Sequence, residues 1–278
     1  MYSFVSIIGT GWLGLPLARL LVQADCQVFG TTTRDEKIER LTAEGILCNK
    51  MIFNDDDDVS KTDIQIPHQT EILVITLPPT LGRQAPLHSY VDIIERIIHQ
   101  TTHLVHLKKL LFTSSTSVYG RAKGVLTEET AIQPHTPSEE TLAQAERIIN
   151  KKTGNCAVYV LRLGGLVGPG REPGYFFKDK KDIPGGEISV NLVHQLDVLE
   201  IMKHIILKDT PEGTFNICAD EHPARGVFYP QRARQIGAQE ATFIWGNEQE
   251  RYVSNEKIKK KTGYTFVYPD PLFFPSGN

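Results

Sequence analysis

Phe4-Val5-Ser6-Ile7-Ile8-Gly9-Thr10-Gly11-Trp12-Leu13-Gly14 decides the fold of this chain. Its first five residues are a short apolar run of strand length, and behind the glycines Leu13, Leu17, Leu20 and Leu21 recur at helical spacing. Between strand and helix the G-x-G-x-x-G pattern gives each glycine a task. Gly9 permits the tight turn, Gly11 lets a pyrophosphate approach the backbone, and Gly14 lets the helix pack closely on the sheet. The helix N-terminus offers unpaired N–H groups to an anion. Glycines also mark plain turns, but a strand before, a helix after and a second strand at Gln27 to Phe29 complete the unit, so the stretch predicts dinucleotide binding.

Working outward, the alternation continues. Strands are expected at Ile46 to Ile52, Ile72 to Leu77, Leu110 to Thr113, Ala157 to Leu163 and Thr214 to Ile217. Helices are expected where Leu87, Val91, Ile94, Ile97 and Ile98 recur, and over Leu196 to Leu207. Another begins at Thr136, because Thr136, Pro137 and Glu139 read as N-cap, first-turn proline and the acid of a capping box, with Leu142, Ala145, Ile148 and Ile149 as its apolar stripe. This predicts an α/β chain: a doubly wound Rossmann parallel sheet with a smaller C-terminal substrate-binding lobe. The expected partition is interleaved, with 1–163 plus 190–219 as the nucleotide-binding part and 164–189 plus 220–278 as the smaller lobe.

The nucleotide is read from the end of the second strand, Gly30-Thr31-Thr32-Thr33-Arg34. An NAD-selective site would place a carboxylate there for the ribose 2′-hydroxyl. Instead Arg34 stands 20 residues after Gly14, where a guanidinium can fork onto a 2′-phosphate. NADP is therefore expected, with NAD as the alternative. The plainer reading makes Arg34 a loop residue beside Asp35 and Glu36. The expected cofactor contacts are Gly9, Thr10, Gly11, Trp12, Leu13 and Gly14, then Thr32, Thr33 and Arg34, then Leu77, Pro78 and Ser114 at later strand ends.

Composition fits this reading. The 278 residues carry 30 Lys plus Arg against 33 Asp plus Glu, a formal charge of -3. That balance argues against a nucleic-acid partner and leaves a small molecule. No apolar run approaches the roughly 18 residues of a membrane span, no leader pattern opens the sequence, and Cys26, Cys48, Cys156 and Cys218 form no C-x-x-C pair. A cytoplasmic protein without membrane association is expected. The runs Asp55 to Asp58 and Lys257 to Lys261 read as solvated surface. His99, His103 and His106 have metal-like spacing, but no carboxylate or cysteine joins them, so no metal is expected.

Thr113-Ser114-Ser115-Thr116-Ser117-Val118-Tyr119-Gly120 brings in a resemblance, extended by Arg162 to Arg171, Val193 to Val198, Phe215-Asn216-Ile217 and Asn255 to Gly263. In order and spacing these stretches resemble the extended short-chain dehydrogenase/reductases, the NAD-dependent epimerase/dehydratase family, and look closest to a small bacterial subgroup. The resemblance implies a cofactor across the sheet edge, a substrate held between lobes, and a homodimer through the helices at Leu87 to His99 and Glu139 to Ile149. It also implies a tyrosine acid/base, a lysine one turn later, and a Ser or Thr on the reacting oxygen. Ser115 matches the last role. Counted back from Glu146, the tyrosine position falls on Ser138 and the lysine position on Leu142, and neither residue can do that chemistry.

One Tyr-x-x-x-Lys exists, Tyr119 to Lys123, but Gly120 and Gly124 make it a poor helix. Tyr119 reads as a packing residue and is kept as the other candidate acid. Among substrate contacts, Arg171 and Arg225 suit an anionic group such as that of a sugar-nucleotide, while Lys178, Lys180 and Lys181 read as solvated. His194 either faces the cleft or is a helix-start histidine bonded to backbone. The expected function is an NAD(P)-binding oxidoreductase of the epimerase/dehydratase type with an atypical active site. Its rival is a non-catalytic NADP(H)-binding sensor or regulatory protein.

Overall fold

The computed structural model describes residues 3–52, 64–79, 87–151, 156–247 and 250–276, without the side chains of 87–89. The run Asp55 to Asp58 lies outside the described residues. Seven strands form one parallel sheet: β1 (Phe4–Ile8), β2 (Gln27–Thr32), β3 (Ile46–Lys50), β4 (Ile72–Ile75), β5 (Lys109–Ser115), β7 (Ala157–Leu163) and β11 (Gly213–Ile217), in the order β11-β7-β5-β4-β1-β2-β3. Every residue of β1 and β4 is buried, as two central strands covered on both faces require. At the edge, β3 buries Ile46 and exposes Leu47. The order reverses between β1 and β4, the switch point at which open α/β sheets place a ligand.

β2 runs three residues past its expected end, and the reason is local. A Cβ on Gly30 would lie 2.4 Å from Cγ2 of Thr10, so this glycine admits a close neighbour inside the strand and does not mark a turn. The helices are α1 (Gly14–Gln23), α2 (Ile38–Ala43), α3 (Leu87–Gln100), α4 (Pro137–Asn150) and α5 (Gln195–Leu207). α1 buries Leu17, Ala18 and Leu21, and α3 buries Tyr90, Ile93, Ile94 and Ile97. The capping box on α4 forms as read: Thr136 Oγ1 accepts from Glu139 N, and the Glu139 carboxylate accepts from Thr136 N. No helix among the described residues is long and apolar enough to cross a membrane.

The chain divides into two compact units. The first comprises Met1–Ser114, Pro134–Leu161 and Met202–Thr214; the second comprises Ser115–Gln133, Arg162–Ile201 and Phe215–Asn278. The partition expected from the sequence places 115–133, 162–163, 190–201 and 215–219 with the nucleotide-binding part, whereas they fall in the second unit. β6 (Gly124–Leu126) pairs with β13 (Arg251–Val253), and β10 (Leu192–His194) pairs with β8 (Gly165–Val167), which ties 115–133 and 190–201 into the second unit. A third pair joins β9 (Ile183–Pro184) to β12 (Phe243–Ile244). Val167 of β8, Leu192 of β10 and Phe228 of α6 (Arg225–Gln235) cluster with Val190 and Phe274, while Leu126 of β6 and Val253 of β13 form a second cluster with Tyr119; α7 (Glu256–Thr262) follows β13.

Candidate cofactor and active site

In the first unit the glycine turn is fixed by hydroxyls. Gly9 adopts φ 103° and donates its N–H to Thr31 Oγ1 at 2.9 Å, while its carbonyl accepts from Thr76 Oγ1 at 2.7 Å. Thr10 is buried and bonds the Thr31 carbonyl through both its N–H and its hydroxyl, at 2.9 and 2.7 Å. A Cβ on Gly14 would stand 2.1 Å from the Gly9 oxygen, so α1 can enter the turn only through a glycine. Gly11 differs: a Cβ there would meet nothing within 4 Å. The fold itself does not need that glycine, and the space is what a phosphate approaching the backbone requires. Leu13, at the N-cap position of α1, gives no side-chain cap, and the first turn of α1 has no acid to compete with an anion. Trp12 is half-buried beside it.

At the end of β2, Thr31 and Thr32 are buried, while Thr33 and Arg34 are exposed. Thr32 Oγ1 accepts from the Arg34 N–H at 3.3 Å. Asp35 is paired with Lys50, and Arg34 makes no ion pair with a described residue. Sequence reading passed over Thr31 and Thr76, the two hydroxyls that weld the turn to its neighbouring strands. Their signal was a hydroxyl at the C-terminal end of each strand flanking β1. Farther along, Leu77 is buried with its carbonyl accepting from Tyr90 Oη at 3.1 Å, and Pro78 is exposed.

Ser114 is buried and donates to Glu146 Oε1 at 2.6 Å, a carboxylate that is itself in the core. This bond carries the α4 stripe Ser138, Leu142, Glu146 to the end of β5. Ser138, two residues into the helix, is half-buried, and Leu142 is buried one turn later. The stripe that would offer a phenol and an ammonium thus offers a hydroxyl and an isobutyl group.

In the second unit Ser115 is half-buried, and its Oγ accepts from Ser117 N at 3.1 Å. A 3₁₀ turn at Thr116–Tyr119 follows and drives Tyr119 into the core, where it is fully buried. Its hydroxyl donates to Asn216 Oδ1 at 2.7 Å and accepts from Arg162 Nη1 at 2.9 Å. Burial pushes the phenol's pKa up against the lowering pull of Arg162 and Asn216. A phenol with both directions used and no exposed surface is not placed to trade a proton with a substrate, so of the two readings of Tyr119 the structure has the packing residue and not the candidate acid. Asn216 completes the network by donating to Ser254 O and Leu126 O.

His194 takes the plainer of its two readings: it is buried, its Nδ1 accepts from Leu196 N at 3.2 Å, and its ring meets Tyr268 edge-on. Burial holds its pKa below the usual 6.5, with Asp197 opposing and Arg232 assisting. Arg171 lines an open cleft of about 650 Å³ with Leu166, Tyr175, Phe176 and Leu192. Burial lowers its pKa. Arg225 is half-buried, its guanidinium 5.2 Å from the Phe177 ring centroid and 5.8 Å from that of Phe243.

Comparison with known proteins places this geometry. Residues 7–218, from within β1 to just past β11, match the NAD dependent epimerase/dehydratase family. The chain belongs to that family. Among its relatives, Protein YeeZ of Escherichia coli (strain K12) is 37% identical over 277 residues, covering 98% of both chains. UDP-glucuronic acid 4-epimerase from Bacillus cereus, solved in complex with UDP-glucuronic acid and NAD, superposes with a TM-score of 0.75 at 16% identity over 97% of this chain and 96% of that one. A functionally unknown conserved protein from Silicibacter pomeroyi gives 0.74 at 19%, over 97% and 95%. At such identities the two structures establish the epimerase/dehydratase fold, and the family membership rests on the sequence matches.

Proposed function

We propose that this epimerase/dehydratase family member is an NADP-dependent oxidoreductase that works without the phenol–ammonium pair. The observation that carries the reading is the open space at Gly11 within a turn that is otherwise fully fitted. Gly9 to Gly14 and the N-terminus of α1 would hold the pyrophosphate, with Leu77, Pro78 and Ser114 along the neighbouring strand ends. Thr32, Thr33 and Arg34 would hold the 2′-phosphate. Bound there, the nucleotide supplies hydride transfer.

Ser115 orients the reacting carbonyl or hydroxyl, and Ser138 presents a hydroxyl to order water where the phenol is missing. Positioning and fixed dipoles supply much of the rate in such sites, so the loss of one acid slows catalysis without ending it. Arg171 and Arg225 belong to the substrate side, toward an anionic group of a small carbonyl or sugar-nucleotide-like compound. The relative solved with UDP-glucuronic acid and NAD supports that class of cofactor and ligand. A homodimer through α3 and α4 is part of the proposal, checked by light scattering.

Calorimetry with NADPH and NADH tests the cofactor assignment. Arg34→Ala should weaken NADPH at least tenfold and leave NADH unchanged; an undiminished NADPH preference rejects the role. A second reading, a sensor that binds the nucleotide and turns over nothing, is favoured by Ser138 and Leu142 and by the burial of Tyr119. A panel of carbonyl and sugar-nucleotide compounds separates the two. The oxidoreductase consumes NADPH with a member of the panel, whereas the sensor distinguishes NADP from NADPH in affinity and consumes none.

A further inference from the structure

We propose that the indole of Trp245 and the guanidinium of Arg225 form one recognition site in the second unit, for a ligand that carries an aromatic ring and a phosphate or carboxylate. The proposal rests on the reading of Arg225 as an anion contact. Trp245 is 56% exposed, a large apolar surface to leave in water. It is nevertheless held in place. A Cβ on Gly226 would lie 2.8 Å from its Cζ2, and one on Gly186 would lie 3.2 Å from its Cδ2. Only glycines let the indole lie this close to backbone, so one face is seated on the chain while the ring remains open to solvent. Exposed Ile244 precedes Trp245, and exposed Val227 follows Gly226.

The cation is tied to this platform through Gly226 and Phe243. Arg225 precedes Gly226, and Phe243, two residues before Trp245, packs its Cβ against the same Gly186 position at 3.2 Å. The rings of Phe243 and Phe177 hold the guanidinium from within, and Arg225 makes no ion pair with a described residue. The neighbouring acid, Glu187, accepts the Gly246 N–H at 2.8 Å. A stacked arginine loses little further freedom when it forks onto an oxyanion, and an indole face attracts any flat ring. Together they select a ligand with both features over one with either alone.

The test is calorimetry with phenyl phosphate, benzoate, inorganic phosphate and phenol on the wild type, Trp245→Ala and Arg225→Ala. Phenyl phosphate should bind at least tenfold tighter than phosphate or phenol, and benzoate tighter than phenol. Trp245→Ala should bring phenyl phosphate down to the level of phosphate while phosphate itself is unmoved, and Arg225→Ala should remove all the anions. Phenyl phosphate that binds no tighter than phosphate, or that ignores Trp245→Ala, overturns the proposal. If phosphate binding depends on Arg225 while the ring adds nothing, only this proposal falls; if Arg225→Ala changes no anion, the anion reading falls with it. Should Trp245→Ala fail to fold, Trp12→Phe leaves Trp245 as the remaining tryptophan of the two. Its emission should then be quenched by phenyl phosphate and not by phosphate, and an unmoved emission overturns the site.

Discussion

Gly14 and Gly11 belong to one motif but answer to different forces. Gly14 is demanded by the chain's own packing, with 2.1 Å between a notional Cβ and the Gly9 oxygen, while the space at Gly11 serves something outside the chain. Two substitutions separate these roles. Gly14→Ala must move backbone and should cost about 3 kcal/mol or more in chemical denaturation. Gly11→Ala should leave the melting temperature within about two degrees and weaken NADPH binding instead, read by calorimetry. Equal losses of stability in both would contradict the division.

At the scale of elements, α4 shows how a local signal becomes a positioned stripe. Thr136 and Glu139 close the capping box, so Thr136→Ala should cost about 1 kcal/mol by urea denaturation. Because that box fixes where the helix begins, it also sets Ser138, Leu142 and Glu146 against β5. This start was legible in the sequence because every capping partner lies within four residues. The sheet was legible for a similar reason: β1 and β7 have the bounds that their apolar runs predict. Segment 164–186 was not, since β8 and β9 pair with β10 and β12, and the partner of β9 stands some sixty residues away. Pairing at that distance leaves no period in the strand itself. The candidate site divides along the same line, with the glycine turn and the packing role of Tyr119 readable, and the distant partners that hold its hydroxyl, Asn216 and Arg162, not.

For the molecule as a whole, buried charge in the second unit is decisive. Arg232 is fully buried and bonds Glu172 through two nitrogens, Gln235 Oε1 at 2.9 Å and the Phe274 carbonyl at 2.6 Å. Arg232→Met strands the Glu172 carboxylate and should cost about 3–5 kcal/mol, while adding Glu172→Gln should recover part of that loss in a denaturation cycle. Acid should act through histidines. His194, His204 and His222 all have pKa values held below 6.5, chiefly by burial. The fold therefore prefers them neutral, and their contribution is full above 6.5 and lost as pH falls below it. Asp197, whose pKa burial raises, acts with the opposite sign in a more acidic window. Stability should thus decline from pH 7.5 to 5.5, and His194→Asn should shallow that decline in urea titrations at the two pH values.

Asp197 and Arg232 share a further property. Asp197 accepts hydrogen bonds from Tyr264 Oη, Val267 N and Tyr268 N, and Arg232 donates to Phe274 and Pro275 carbonyls. Both buried charges are thus answered by residues 264–275, far downstream in the sequence. During synthesis, the first unit has all its segments once residue 214 has left the ribosome. The second must wait some fifty residues longer, with the Asp197 carboxylate uncompensated and Arg232 held by Glu172 but short of its carbonyl partners, so the nascent chain acquires its units in a fixed order, and residues 264–275 complete the second.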